Sequence, residues 1–440
     1  MNRAGTVVLL AAGQGTRMKS ALPKVLHELC GRSMVGWVID QALTLDPKKI
    51  VVVVGHGGDE VRRALASHPA ADRLEFVVQE PQHGTGHALQ CAAPAIDPQA
   101  GTVVVLYGDM PVLRPESLQA LLEARDAAGA DAMAMLTAWP DDPTGLGRIV
   151  RGADGEFQAI VEHKDATDEQ RAIGEVNLGV YAFPAPQLLE RLPQLTNENV
   201  QGEYYLTDVP AMFVAAGEPV AAHELDDADE ALGVNTLMQL AEARWALQVR
   251  ILEQHLANGV RIEDPASTYV DVDVTIGGGT RILPCTVIRA GVTIGEDCEV
   301  GPFTHLRVGT VLSDGAEVGN FTESKNTTLG RRTKAKHLSY LGDARIGDGC
   351  NIGAGTIFAN YDGVAKSVTT VGDGAFIGSG TTIVAPNAIG PGATTGANSV
   401  VTRTAKVGEN EVWAGIPARH VAGAESVAQR KAAAKKGQNA

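Results

Sequence analysis

Aliphatic residues recur every six positions through much of the C-terminal half: Ile276, Ile282, Ile288, Ile294, Val300, Leu306, Leu312 and Val318. The spacing resumes at Ile346, Ile352 and Phe358, and again at Val371, Ile377, Ile383 and Ile389. Glycine often follows the aliphatic residue, as at Gly277, Gly295, Gly301 and Gly319. A six-residue repeat builds a parallel β-helix, in which each short strand points its aliphatic side chain inward and small residues turn the corners. The phase slips between Val318 and Ile346, and an excursion from Asn360 to Ser367 interrupts it again. Insertions in a repeat map to loops, often on the binding face. The 50 glycines and the aromatic share of only 4% agree with a glycine-punctuated repeat.

The chain before about residue 225 has another period. Val7–Leu10, Ile50–Val54, Phe76–Val78 and Val103–Leu106 have the length and composition of buried strands. Between and after them, Met34–Leu43, Asp59–Ser67, Gly86–Ala93 and Glu116–Ala127 have helical spacing. Such alternation predicts a mostly parallel sheet covered on both faces, with ligands bound at the C-terminal strand ends. The loops Ala11–Lys24 and Tyr107–Pro111 leave such ends. From Thr236 to about Gly259 the pattern is one long helix with Leu240, Leu247 and Ile251 among its apolar positions. The 440 residues therefore divide into a domain over 1–235, a connecting helix over 236–259 and a repeat domain over 260–423. The Ala/Lys-rich tail over 424–440 is expected to fray.

Composition narrows the classes. Lys plus Arg number 37 against 52 Asp plus Glu, a formal charge of −15, and no long basic run is present, which makes nucleic acid a poor partner. Five cysteines, Cys30, Cys91, Cys285, Cys298 and Cys350, include no CxxC pair and read as reduced thiols. No apolar run approaches a membrane span, and no signal sequence precedes the first strand, so a soluble cytoplasmic protein is expected.

The first strand runs into Leu10-Ala-Ala-Gly13-Gln-Gly15-Thr16-Arg17-Met18, with Pro23-Lys24 close behind. A turn of exposed N–H groups can cradle phosphate. It is not a Walker A loop, because GK[ST] is missing, and Met18 stands where a dinucleotide fingerprint needs its third glycine. From the glycines alone, a plain strand-to-helix turn is as good a reading.

With Arg17 and Lys24, however, the string resembles the signature of sugar-phosphate nucleotidyltransferases. Gln79…Gly84-Thr85-Gly86-His87-Ala88, Tyr107-Gly108-Asp109, Gly145-Leu-Gly147-Arg148-Ile149, Val161-Glu162-His163-Lys164-Asp165 and Gly233-Val-Asn235 follow. Taken with the repeat half, the chain is similar over nearly its whole length to one bifunctional family. That family joins an N-acetylglucosamine-1-phosphate uridyltransferase to a glucosamine-1-phosphate acetyltransferase. The resemblance implies a Rossmann-like α/β domain, a connecting helix and a left-handed parallel β-helix.

It also implies chemistry. A sugar 1-phosphate oxygen attacks the α-phosphorus of UTP, so fixed cations must meet the developing charge. Arg17 and Lys24 would supply them, and Asp109 and Asn235 would hold Mg²⁺, which favours a few oxygen ligands plus phosphates and water. The uridine would lie on Leu10, Ala11, Ala12, Gly13, Gln79, Gly84 and Thr85. The sugar would lie on Tyr107, Gly108, Gly147, Glu162 and Asn177. Without the resemblance, Asp109 could be a turn residue or helix cap before Pro111, and Asn235 would be unremarkable. Two departures from the family pattern, Leu178 after Asn177 and Thr236 after Asn235, remove no implied ligand.

Acetyl transfer to an amine needs a base, and histidine is suited to that near neutrality. His337 lies in Lys334-Ala-Lys336-His337-Leu-Ser-Tyr340-Leu-Gly342, inside the first phase break, while His305 competes on residue type alone. The string is similar to the family's acetyltransferase site with His337 as base. By the same resemblance Arg307, Lys325, Tyr340 and Asn351 would contact the sugar phosphate, Asn360 and Tyr361 would sit near the amine and thioester, and Ala354, Ser379 and Ala397 would line the acetyl-CoA path. The family's arginine after the last coil is displaced or lost here, with Arg419 the nearest substitute. A homotrimer is implied as well.

Three other readings compete. One keeps a single nucleotidyltransferase activity and makes the β-helix an oligomerising or regulatory scaffold; the cluster Arg307, Lys325, His337 and Tyr340 counts against it. A zinc hydratase needs paired histidine ligands, which His305, His337 and His420 do not provide. A sugar-nucleotide sensor would show no turnover.

Overall fold

A computed structural model describes residues 4–99 and 101–438. Its contacts divide the chain into two units, Met1–Ala246 and Leu247–Ala440, with the boundary inside the helix Leu237–Ala257.

The first unit is built on nine strands: β1 (Thr6–Ala11), β2 (Lys49–Val54), β3 (Leu74–Val78), β4 (Thr102–Tyr107), β5 (Met133–Ala138), β6 (Arg148–Arg151), β7 (Phe157–Val161), β8 (Val176–Pro184) and β9 (Val220–Glu224). The sheet order is β9-β5-β8-β4-β1-β2-β3, with the β6–β7 hairpin attached through β8. Strands β1 to β4 pair in parallel, as the strand–helix alternation requires. Every residue of β1 is buried, because apolar clusters cover both faces of the sheet. The helices Met34–Leu43, Gly58–Leu65, Thr85–Ala92 and Pro115–Ala128 lie within about two residues of the predicted spans.

Inside the main sheet path, β8 runs against this grain. It is antiparallel to both β4 and β5, and its register against β5 shifts between Asn177 and Tyr181. That bulge turns Asn177 and Gly179 toward the end of the sheet where β4 delivers Tyr107 and Asp109. Gly179 has φ 74°, and a Cβ there would stand 2.4 Å from the Tyr107 ring, so only glycine fits.

The second unit is a left-handed parallel β-helix, a prism of three sheets with ten, eight and seven strands. The aliphatic hexad residues fill its axis: Ile282, Ile288, Val300 and Leu306 are fully buried. A second buried position lies two residues before each, where Thr280, Thr304, Thr310, Thr327 and Thr333 recur. Their hydroxyls satisfy carbonyls one side along or one coil away, as in Thr280 to Gly295 O (2.8 Å), Thr304 to Gly319 O (2.7 Å) and Thr333 to Gly347 O (2.6 Å). Buried corners thus keep their hydrogen bonds without water.

The phase slip is a shortening of two sides from six residues to five. Ser324 is followed inward by Leu329, and Leu341 by Ile346, so successive coils pair Leu312 with Leu329, Ser324 with Leu341 and Leu329 with Ile346. Residues stacked on one another in those coils are 17 apart, as Asn320 and His337 are, where the regular coils give 18, as for Arg281 and Glu299. The Asn360–Ser367 excursion is a small antiparallel loop closed by a Tyr361–Lys366 bridge.

Within the tail expected to fray, the described residues include the helix Val427–Gln438. Ser426 and Gln429 make a capping box, with Gln429 N–H donating to Ser426 Oγ (3.2 Å) and Ser426 N–H to Gln429 Oε1 (2.8 Å), and Val427 N–H donates to Thr394 Oγ1 (2.9 Å). The alanine-rich sequence behind that cap favours helix without needing an apolar face.

Coil stacking sets a sharp test. A Cβ on Gly319 would stand 1.9 Å from the Lys336 carbonyl oxygen of the next coil. Gly319→Ala should therefore destabilise the repeat unit by roughly 3 kcal/mol, read as a fall in its denaturant midpoint, because backbone rather than a mobile side chain must move.

Candidate active sites

In the first unit four polar groups converge past the ends of β1 and β4. Lys24, only 8% exposed, directs its ammonium at Asp109 Oδ2 and at Asn235 Oδ1 (3.0 Å). Arg17, otherwise exposed, donates from Nη2 to the same Asn235 oxygen (2.8 Å). Backbone bonds set this geometry: Gly108 N–H donates to Leu10 O (2.9 Å), and Val234 N–H to Asp109 O (2.8 Å), which carries Asn235 to the strand end. Glu230, buried, pins the preceding segment by accepting from Arg114 N–H and Ser117 Oγ, each at 2.7 Å. Asp109 and Asn235 oxygens thus meet at one cationic atom, and a hard divalent ion is suited to the same pair. Among the described residues, no cluster of three His, Cys, Asp or Glu offers a softer metal site.

Beside this cluster run the residues expected to hold the nucleoside. Ala11 and Ala12 are buried at the strand end, and Gly13 is exposed, with nothing within 4 Å of where its Cβ would stand. Gln79, buried, donates from Nε2 to Gly84 O (2.8 Å). Gly84 has φ 100°, and a Cβ there would lie 2.6 Å from Tyr204 O. Thr85 Oγ1 accepts from Leu206 N–H (3.3 Å) and also bonds the Tyr107 hydroxyl. Burial pushes the Tyr107 phenol well above its ordinary range, so it stays protonated and neutral.

Asn177 is committed within its own strand: Oδ1 accepts from Gly179 N–H (3.2 Å) and Nδ2 donates to Tyr181 Oη (2.8 Å). Gly147 O accepts from Asn177 N–H (2.9 Å), and a Cβ on Gly147 would meet Ile160 at 2.9 Å. Glu162 accepts from Thr207 Oγ1 (3.0 Å). Burial raises its pKa, the neighbouring Asp165, Asp208 and Glu203 raise it further, and the Thr207 bond opposes them. Asp165 belongs to the Glu162 motif itself, whereas Thr207, Asp208 and Glu203 carry no sequence motif and are brought to Glu162 only by the fold.

In the second unit the shortened sides gather the predicted residues. His337 is exposed, and its Nδ1 lies 3.0 Å from Asn320 Oδ1 on the preceding coil. With that oxygen accepting the Nδ1 proton, Nε2 keeps its lone pair and faces outward. Asn320 was not legible until the 17-residue register was known. Among the described residues His305 Nε2 is buried and finds no hydrogen-bond partner, and burial plus Arg289 lower the pKa of the ring.

Arg307 donates to Glu323 (2.6 Å). Lys325 has its pKa lowered by contact with Lys366, with Arg307 adding to the effect. Cations held together in this way invite an anion. Lys366 was missed because it sits in the excursion, outside the repeat. Tyr340 lies over Gly342, where a Cβ would be 2.7 Å from both the Tyr340 hydroxyl and Asn360 Nδ2. Asn360 Nδ2 donates to Asp343, which also accepts from Asn326 (2.6 Å). Asn351 pairs with Lys334 on the sheet that carries His337. Tyr361 is exposed on the loop, its hydroxyl donating to Gly363 O (2.6 Å).

Ala354, Ser379 and Ala397 fall at one corner on successive coils, tied by Gly380 N–H to Ala354 O and Asn398 N–H to Ser379 O, each 2.7 Å. Arg419 pairs across from Ala414, and its guanidinium donates to Ala418 O (3.2 Å).

A phosphate-suited α/β unit joined to a β-helix that carries a histidine and a cation cluster defines a two-site transferase. The model of the MobA-like NTP transferase domain matches residues 7–204, and that of the bacterial transferase hexapeptide (six repeats) matches residues 273–307. The bifunctional protein GlmU of Stutzerimonas stutzeri is 48% identical over 430 residues, covering 90% of this chain and 93% of that protein. Those of Corynebacterium efficiens and Thermobifida fusca are each 44% identical, covering 90% and 96% of this chain and 88% and 94% of their own. The chain belongs to the bifunctional GlmU family.

Glu162 gives a pH test. An acid whose pKa is raised by folding costs stability when ionised, a cost present above the folded pKa and absent below the unfolded value near 4.5. Glu162→Gln should therefore melt higher than the parent at pH 7 while losing uridylyl transfer, and the stability gain should vanish as the pH falls through that range. Melting curves at several pH values check it.

Proposed function

We infer that the chain makes UDP-N-acetylglucosamine in two transfers. Acetyl passes from acetyl-CoA to the amine of glucosamine 1-phosphate, and uridylyl then passes from UTP to N-acetylglucosamine 1-phosphate, releasing pyrophosphate. The observation that carries this reading is the pairing of two unlike polar clusters on separate units: Lys24, Arg17, Asp109 and Asn235 on one, and His337, Asn320, Lys325 and Lys366 on the other. A β-helix serving only as scaffold needs no oriented histidine and no crowded cations.

In the uridylyl transfer, Arg17 and Lys24 stabilise the charge that grows on the phosphates as pyrophosphate leaves. Asp109 and Asn235 hold Mg²⁺, which supplies further charge neutralisation there. The Leu10–Gly13 backbone, Gln79, Gly84 and Thr85 hold the uridine; Tyr107, Gly108, Gly147, Glu162 and Asn177 hold the sugar. The nucleophile is an ionised phosphate oxygen and needs no base.

In the acetyl transfer, His337 Nε2 takes a proton as the amine nitrogen attacks the thioester carbonyl. The carbon–sulfur bond then breaks and CoA leaves as the thiol. Arg307, Lys325 and Lys366 bind the 1-phosphate, Tyr340 and Asn351 hold the sugar, and Asn360 with Tyr361 flanks the amine. Ala354, Ser379 and Ala397 leave room for the pantetheine. The division of labour follows: 1–235 uridylyl transfer, 260–423 acetyl transfer, in the cytoplasm, supplying peptidoglycan and lipopolysaccharide precursors.

We also propose a homotrimer. Phe303 and Phe321 are 53% and 57% exposed, stacked at 5.4 Å, with Leu338 on the next coil 59% exposed. All three have positive φ, near 50°. Holding bulky residues there costs on the order of 1 kcal/mol each, which solvent does not repay but a second copy's apolar surface would. Phe321 and Leu338 adjoin Asn320 and His337. A sedimentation mass of one chain at active concentrations would contradict the trimer.

His337→Ala should lower acetyl transfer by about 10²–10⁴-fold while uridylyl transfer survives. Asp109→Ala should do the reverse. Parallel assays of thiol and pyrophosphate release decide; equal damage to both activities in a folded variant would contradict separate sites.

A further inference from the structure

We propose that His87 is a positioning residue that fixes the hydrogen-bonding sense of Gln79, and so sets the preference for uracil over cytosine. The inference rests on the reading of Gln79 as a uridine contact. Gln79 is 5% exposed, and its Nε2 lies 2.8 Å from Gly84 O. A carbonyl can only accept, so the atom facing it is the amide nitrogen. The same Nε2 lies 3.3 Å from His87 Nδ1. Both N–H bonds of the amide are then used within the protein, provided Nδ1 carries a lone pair.

The Gly84 contact selects that tautomer, because the ring nitrogen facing an amide nitrogen already fixed as a donor must accept. With Nδ1 bare, the imidazole proton sits on Nε2, which lies 3.7 Å from Cys91 Sγ. The titratable groups facing the ring are His83 (centroids 5.4 Å apart), Tyr204 (6.2 Å) and Cys91. Burial and then His83 disfavour the imidazolium, while the Pro81 carbonyl favours it, and the net pKa lies below 6.5. At neutral pH the ring is therefore an acceptor toward Gln79.

With its nitrogen committed, Gln79 offers an incoming base only Oε1, which among the described residues meets no protein donor. Uracil presents N3–H, a donor, at the middle of its pairing edge; cytosine presents a bare N3, whose lone pair opposes Oε1. Flipping the amide would set Oε1 against Gly84 O, so Gln79 cannot change sense while His87 and Gly84 hold it. An imidazolium presents two N–H groups and ejects the Gln79 amide from this arrangement. Discrimination should therefore weaken in acid.

The experiment measures pyrophosphate release from UTP and from CTP by the full-length protein, with N-acetylglucosamine 1-phosphate as acceptor. His87→Leu removes the acceptor, whereas His87→Asn restores one near the Nδ1 position without a titrating ring. The ratio of kcat/KM for UTP to that for CTP should fall about tenfold in His87→Leu, chiefly through KM for UTP, and should return in His87→Asn. In the parent the ratio should also fall between about pH 7.5 and pH 5, and in His87→Asn it should stay flat. Because both nucleotides carry the same triphosphate, the ratio cancels phosphate titration. An unchanged ratio in a folded His87→Leu, or the same acid loss in His87→Asn as in the parent, would overturn the inference. Should His87→Leu fail to fold, the two pH profiles decide alone. No pyrophosphate from the parent with either nucleotide would overturn the uridylyl reading itself.

Discussion

Everything in the repeat unit depends on one constraint, that each backbone hydrogen bond of a coil must find its partner directly above or below. In the regular coils the residue stacked on each one lies 18 positions away, as Arg281 and Glu299 do, and a side of six residues keeps the inward aliphatic and the threonine before it in place. Such a lattice tolerates few departures, because a buried unpaired N–H or C=O costs more than a hydrogen bond gains. The departures that occur are therefore informative. Two sides lose a residue and one coil gains a loop, and these places bring together His337 with Asn320, Lys325 with Lys366, and Asp343 with Asn326 and Asn360.

The α/β unit follows the same logic through another geometry. Its central parallel strands β1, β2 and β4 are paired on both edges and buried, so polar chemistry there can stand only where they end. Lys24, Asp109 and Asn235 meet there because backbone bonds from Gly108 to Leu10 and from Val234 to Asp109 hold three distant segments together. The antiparallel β8 interrupts the sheet with a bulge, and Asn177 and Gly179 stand at that interruption, under Tyr107.

Much of this was legible in the sequence, for physical reasons that also mark the limit. The hexad aliphatics show because each points at one axis, and the strands Thr6–Ala11 and Lys49–Val54 show because both their faces are covered. The direction of Val176–Pro184 did not show, since a strand buried on both faces has no alternation and its apolar run is the same for either polarity. Buried threonines were invisible as core because their type is usually exposed; here the neighbouring coil supplies the acceptor. Asn320, Lys366 and His87 carry roles only through contacts across coils or along a helix face, and spacing alone does not reveal those. The helix Val427–Gln438 did not show for want of an apolar period, although Ser426-Val-Ala-Gln429 is a readable cap.

The central claim is that the break in the repeat is an active site in its own right. It is tested most directly by mixing the purified full-length protein with acetyl-CoA and glucosamine 1-phosphate, without UTP or added metal, and following free thiol. Thiol release that depends on the amino sugar is the predicted result. No release, from a preparation that still forms pyrophosphate from UTP and N-acetylglucosamine 1-phosphate, would contradict it and leave the β-helix a scaffold.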